Sequence, residues 1–308
     1  MERLEAMTIF VAVVDEGGFA AAARKLKISP PVVTRAVNSL EARMGVRLLA
    51  RTTRVVRLTE VGARYADDCR RLLADLAELE EAAAGTHQSI RGRLVMTAPA
   101  MFGRMYITPI VMAYLRSYPD TEVECRFVDR VVNMMDEGVD VAIRIGVLQD
   151  SSYQALPVGQ VRRVVCASPA YLSEHGAPRA PADLRQHALI ATTGLTPSPI
   201  WRFDQAGEQV MVQVRPRLMV SSNDDAITAA TGGFGIARLL SYMVARPLAE
   251  GALTEVLHGH DTAILPIHVI QHEGRHAAGK VRAFLDLATT TLRGDAALQL
   301  QKAGRTRK

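Results

Sequence analysis

Pro31, Thr34, Arg35 and Asn38 recur at helical spacing along one side of the segment 30–44. Thr, Arg and Asn side chains held this way can hydrogen-bond base edges and phosphates from a helix lying in a major groove. On the other side Val33, Val37, Leu40 and Met44 form the apolar stripe that would seat such a helix on a core. Downstream, Arg47–Ala50 and Val55–Leu58 read as two short strands around Arg51-Thr52-Thr53-Arg54. That is a basic hairpin, a wing whose Arg51, Thr53 and Arg54 suit phosphates or a minor groove. The alternative is a small helical bundle with an ordinary solvated basic face.

A second constellation has different chemistry. His272-Glu273-Gly274-Arg275-His276 fits the H-E-x-x-H pattern of zinc peptidases, which needs both imidazoles on one helix face. Its surroundings argue against that use. The stretch 266–271 is apolar and β-branched like a strand, Gly274 disfavours a helix, and the next periodic segment starts only after Gly279. A zinc hydrolase drawing a third ligand from His258 or His260 is therefore a remote alternative, and neither a metal nor a cofactor is expected. Gly232-Gly233-Phe234-Gly235 lacks the spacing of a phosphate-binding loop, and no G-x-S-x-G elbow occurs. Cys69, Cys125 and Cys166 are too few and too scattered for a disulfide framework, and the latter two fall in apolar strands that suggest packed, inert thiols. An enzyme is not expected.

The elements that must hold the polar face follow from periodicity and punctuation. Leu4–Asp15 carries Met7, Phe10, Val11 and Val14 as a helical stripe, and Gly17-Gly18 ends it. Phe19–Leu26 is a short Ala-rich helix, Lys27-Ile28 a turn, and Ser29 an N-cap before Pro30-Pro31 in the first turn of the third helix. Gly45 stops that helix. A long helix from Thr59 to about Ala84 follows. Its Tyr65, Cys69, Leu72, Leu76, Leu79 and Ala83 recur at heptad spacing with acidic flanks, a pattern for self-association. Packing on its own domain is the alternative, and Cys69 is expected to be a packed thiol. Residues 85–89 are small and polar, a hinge.

Charge locates the partner. The net +5 of the chain resolves into +5 over residues 1–57, −4 over 58–90, balance over 91–292 and +4 over 293–308. A basic unit beside an acidic segment and a neutral bulk implies that a polyanion meets the N-terminus alone. The final segment is read as a disordered basic tail. A length of 308 residues allows two domains, and 48% apolar with 22% charged residues excludes wholesale disorder. Neither a bilayer span nor a signal peptide is evident, so a soluble cytoplasmic protein without membrane contact is expected.

The N-terminal run Ala20-Ala21-Ala22-Ala23-Arg24-Lys25-Leu26, then Ser29 to Val37, resembles the LysR-type transcriptional regulators. So do Leu40-Glu41, Gly45 to Leu49, Arg51 to Arg54 and Leu58-Thr59-Glu60-Val61-Gly62. The resemblance implies a winged helix-turn-helix in which Ser29, Pro31, Thr34, Arg35 and Asn38, with the wing, meet double-stranded DNA. It also implies a linker helix joining two such units over an inverted repeat, in dimers or tetramers, with RNA polymerase as a further partner. Pro30-Pro31 stands where many relatives have Gln-Ser, and Gly18 where a Ser is frequent.

From Arg91 to Leu292 strands and helices alternate, an α/β pattern of parallel-rich sheets. Strands are expected at 93–97, 121–128, 139–145, 163–167, 189–192 and 217–222, and a strand opens at 235–237. Helices are expected at 99–118, 131–137, after Ser168-Pro169, and from about Asp224. Asp140 to Gly146, Cys166 to Leu172, Gly232 to Ala237 and Lys280 to Asp286 resemble the effector domain of the same family, a periplasmic-binding-protein-like fold of two subdomains about a cleft. Leu240 stands where relatives often have Pro. Ligands in such folds sit at strand ends and helix N-termini. That singles out Thr97, Ala98, Pro99, Ala100, Asp129, Arg144, Thr192, Thr193, Asn223 and Asp224 for a small-molecule effector. A solute-binding protein would explain this domain but not the basic unit before it.

Overall fold

The computed structural model describes residues 2–51, 56–83, 90–148, 153–193, 200–205, 208–260, 264–272 and 279–299. The chain divides into two units, Met1–Ser89 and Ile90–Lys308.

The first unit contains α1 (Arg3–Asp15), α2 (Phe19–Leu26), α3 (Pro30–Met44), β1 (Leu49–Arg51), β2 (Val56–Leu58) and α4 (Glu60–Ala83). Its core joins Met7, Phe10, Val13, Val33, Val37, Leu40 and Leu48 with Ala66 and Cys69 of α4. On α1 the buried set is Ala6, Met7, Ile9, Phe10, Ala12 and Val13, wider than a single stripe, because α2, α3 and α4 all pack against this helix. Val11 and Val14 are only partly buried. Lys27 turns α2 into α3 with a left-handed backbone, φ 55°. Ser29 has the extended backbone of an N-cap, although its side chain makes no cap bond. Gly45 closes α3 at φ 69°, the left-handed conformation that glycine tolerates at a helix stop.

Glu41 organises the turn after α3. Its Oε1 accepts the backbone N–H groups of Leu48 (2.9 Å) and Leu49 (3.1 Å), and its Oε2 accepts from Arg47 Nη1 at 3.0 Å. Burial alone would raise this carboxyl. The two backbone donors and Arg47 outweigh it and hold the group below its ordinary value. Thr59 then caps α4, its Oγ1 accepting from Gly62 N at 2.9 Å and donating to the Arg47 carbonyl at 2.8 Å.

In the second unit one sheet has the order β4-β3-β5-β14-β6, from β3 (Gly92–Ala98), β4 (Thr121–Phe127), β5 (Val141–Ile145), β6 (Tyr153–Val161) and β14 (Leu265–His272). The other has the order β11-β8-β12-β7-β13, from β7 (Arg163–Ala167), β8 (Leu189–Thr192), β11 (Leu218–Val220), β12 (Ile236–Leu240) and β13 (Thr254–Val256). A hairpin of β9 (Ile200–Gln205) and β10 (Glu208–Gln213) packs on the second sheet's core through Trp201 and Phe203. The chain passes between the sheets at Arg162 and again between β13 and β14. Arg162 holds Glu255 through both carboxylate oxygens (2.5 and 2.7 Å), clasping the two crossings. The helices are α5 (Ala100–Phe102), a π-helical turn (Gly103–Ile107) and α6 (Thr108–Ser117), with α7 (Pro169–His175), α8 (Asn223–Thr231), α9 (Ser241–Ala249) and α10 (Gly279–Gly294).

Several sequence expectations are corrected. Each sheet is mixed, since β14 runs antiparallel to β5 and β6, and β12 and β13 antiparallel to β7. Residues 131–137 do not form a helix. Asn133 Oδ1 accepts from Met135 N and Asp136 N, a local turn that competes with helix there. The chain does not become a free tail at residue 293: α10 runs to Gly294, Leu298 is fully buried, and Gln299 donates to the Val158 carbonyl at 3.1 Å. The apolar spacing of Leu292 and Leu298 outweighs the local charge. Cys125 is exposed rather than packed; partial burial and the Glu124 carboxylate raise its thiol, and deeper burial pushes the Cys166 thiol up to about 12. Alkylation with iodoacetamide at pH 8, followed by peptide mass spectrometry, should therefore modify Cys125 long before Cys166. Equal rates would contradict these placements.

Candidate nucleic-acid interface and effector cleft

The polar side of α3 stands free of the core that fixes the helix. Val33 and Val37 are fully buried, while Pro31, Arg35 and Asn38 are exposed and Thr34 is half-buried. Thr34 Oγ1 donates to the Pro30 carbonyl at 3.1 Å, which orients its hydroxyl oxygen as an acceptor. Arg35 makes no salt bridge among the described residues and is exposed, a guanidinium on a rigid helix with the geometry for a phosphate or a guanine edge. Ser29 is exposed beside it at the helix start. Leu49↔Leu58 and Arg51↔Val56 pair in the antiparallel hairpin expected of a wing. Thr53 and Arg54, and the Arg51 side chain, lie outside the described residues.

The heptad stripe of α4 is corrected at its first turns. Tyr65 packs on Phe10 at 5.7 Å between ring centroids, and Cys69 is buried in the same core. Those two positions face their own domain, because α1 covers them. Leu72 is exposed and Leu76 half-buried, so the part of the stripe outside this core begins there. The Leu79 and Ala83 side chains lie outside the described residues.

In the second unit the parallel strands β3, β4 and β5 end at Ala98, Phe127 and Ile145, and β8 and β11 end at Thr192 and Val220. The segments that follow bring five of the singled-out positions together. Asp129 Oδ1 accepts from Ala100 N at 2.9 Å, next to Pro99, and its Oδ2 accepts from Asn223 Nδ2 at 3.4 Å. Asp224 meets Arg104 Nη2 at 2.5 Å. Both links join the lobe built on β3–β5 to α8 of the other lobe. Ser222, not Asn223 or Asp224, caps α8, its Oγ accepting from Asp225 N at 3.1 Å.

Other positions do not join that cluster. Thr97 is 1% exposed and donates to the Arg126 carbonyl at 2.7 Å, and Ala98 is buried beside it, so both belong to the sheet interior. Arg144 donates to the Val132 and Arg130 carbonyls (2.6 and 3.5 Å) and holds the turn after β4; burial lowers its pKa. Thr192 and Thr193 end β8, with Thr193 N donating to the Val220 carbonyl at 2.8 Å. Sequence reasoning missed Arg104 and the ring cluster Phe102, Tyr106 and Tyr242, whose partners lie far apart along the chain. It also missed Arg238, stacked over Phe203 (4.7 Å) and Trp201 (5.7 Å).

His272 ends strand β14, α10 begins only at Gly279, and 273–276 lie outside the described residues. Among the described residues no cluster of His, Cys, Asp or Glu could hold a metal ion, and no helix is long and apolar enough to cross a membrane.

Residues 4–63 match the family model described as bacterial regulatory helix-turn-helix protein, lysR family. Residues 87–293 match that of the LysR substrate binding domain. The chain is a LysR-type transcriptional regulator. An HTH-type transcriptional repressor of Pseudomonas aeruginosa is 34% identical over 288 residues, covering 93% of this chain and 91% of the relative. The HTH-type transcriptional regulator CrgA of Neisseria meningitidis is 30% identical, covering 94% and 96%. The full-length structure of AphB, a virulence activator of Vibrio cholerae, aligns with a TM-score of 0.61 at 30% identity, covering 94% of this chain and 99% of that one. As a LysR-type regulator the chain joins a DNA-binding unit to an effector-binding domain, in a family that binds DNA and small molecules and forms oligomers.

Proposed function

We propose that this regulator binds an inverted repeat in double-stranded DNA as a homodimer or an assembly of dimers, in the cytoplasm, and that an effector in the cleft of the second unit changes how it does so. The exposed Arg35 on a helix whose opposite face is sealed into the core carries the reading. Thr34, Asn38, Pro31 and Ser29 share that surface, and Arg51, Thr53 and Arg54 add phosphate contacts from the wing. Two-fold symmetry through α4, from Leu72 onward, mirrors the symmetry of the site.

The effector enters between the lobes near Pro99, Ala100, Asp129, Asn223 and Asp224. It acts only to the extent that it binds one lobe arrangement better than the other. The resulting change in spacing or bending of DNA between half-sites alters the access of RNA polymerase. Selection of bound fragments from genomic DNA, followed by footprinting, tests the reading. Protection of an inverted repeat that weakens steeply as salt rises is expected. Folded protein that protects no fragment at low salt would contradict it.

A further inference from the structure

Tyr242 is 1% exposed, and its hydroxyl has no hydrogen-bond partner among the described residues. A buried phenol usually finds one, because a dry, unpaired O–H is costly. The ring sits edge-on to Phe102 (5.3 Å) and Tyr106 (5.9 Å), and Phe102 stacks on Tyr106 at 4.8 Å. Burial pushes the phenol well above its ordinary range, and Asp129, Tyr106 and Asp224 add to that push, so the hydroxyl lies within the field of both carboxylates.

Each of those carboxylates meets a group of the opposite lobe. Asp129 accepts from Ala100 N and Asn223, and Asp224 accepts from Arg104. The Arg104–Asp224 pair is largely solvent-exposed, so it is weak and open to competition. Arg144, singled out from the sequence, is committed to backbone carbonyls. The cluster therefore presents two carboxylates and the half-buried ring of Tyr106, with the orphaned phenol oxygen behind them and no uncommitted cation among these residues to receive an anion.

Resting on the reading of this cleft as the effector site, we infer that the effector carries a protonated amine on a small apolar body. The ammonium donates to Asp129, Asp224 and Tyr242 Oη, displacing Arg104, while the half-buried ring of Tyr106 takes the apolar part and the cation's field. A carboxylate-bearing effector of the same shape would meet like charge at both aspartates.

Matched pairs of probes test this on the full-length protein: benzylamine against benzoate, and butylamine against butyrate, at neutral pH. Saturable stabilisation of the second unit in thermal unfolding by the amines, and none by the carboxylates, is expected. Tyr242→Phe should melt about 2–4 °C higher without ligand, because the unpaired hydroxyl is gone. The same variant should lose roughly tenfold in amine affinity, which a purely structural tyrosine would not do. Asp129→Asn should weaken the amines likewise. A response to the carboxylates instead, no response to either amine, or full amine affinity in both variants would overturn the inference. DNA protection is read on the same preparations, so a normal footprint beside an absent amine response overturns the amine alone and leaves the regulator standing.

Discussion

Glu41→Ala should unfold the DNA-binding unit at temperatures where the rest of the chain is intact. The substitution strips the backbone N–H groups of Leu48 and Leu49 of the carboxylate oxygen that accepts them, at a position where Glu41 itself is only 6% exposed. Two orphaned buried donors cost about 2–4 kcal/mol together, a large share of what a small domain has. Glu41→Gln keeps an oxygen for both donors and loses only the charge and Arg47, so a smaller loss is expected. The carboxyl lies below its ordinary value in the folded state. Its contribution is thus complete above the unfolded carboxylate pKa and disappears as pH falls through the folded one. Circular dichroism melts from pH 7 to pH 3 should show the unit weakening at the acid end in wild type, and a flatter profile in Glu41→Gln. An Ala variant as stable as wild type would show that the turn is held by something else.

Gly62→Ala is expected to be comparably damaging. A Cβ at this position would lie 1.9 Å from the Leu48 carbonyl oxygen and 2.8 Å from its carbon. Both are backbone atoms, and the same oxygen accepts from Thr59 N at 3.0 Å, so neither side can yield without parting β1 from the start of α4. Overpacking against fixed backbone costs about 3 kcal/mol. Gly294→Ala, with nothing within 4 Å of the added carbon, serves as the contrast and should be neutral or slightly stabilising. Denaturant melts of the two variants provide the check, and a wild-type midpoint for Gly62→Ala would refute the packing described.

What could be read from the sequence is what local rules decide. The α3 stripe of Val33, Val37 and Leu40 was plain because one face meets one core. On α1 the same reasoning named Val11 and Val14 over Ile9 and Val13, since periodicity assumes a single packed face and this helix has three neighbours. Tyr65 and Cys69 fit a heptad as well as they fit the core they occupy; spacing does not say which surface arrives first. The 131–137 turn was misread because the side-chain bonds of Asn133 compete with helix in a way that composition does not reveal. Between the lobes of the second unit, strand ends pointed to Pro99, Ala100, Asp129, Asn223 and Asp224. Arg104, 120 residues from Asp224, and Tyr242 were out of reach, because only the folded topology brings them there.

Whether α3 reads DNA through its exposed polar face is decided by Arg35→Ala on a selected inverted-repeat fragment. Affinity for that fragment and for unrelated DNA should be measured at two salt concentrations beside wild type. Arg35 touches no core, so the variant should keep the wild-type melting temperature. It should lose about 1–3 kcal/mol on the selected fragment, which is roughly five- to 150-fold in affinity. A folded variant that binds the selected fragment as tightly as wild type would contradict the account.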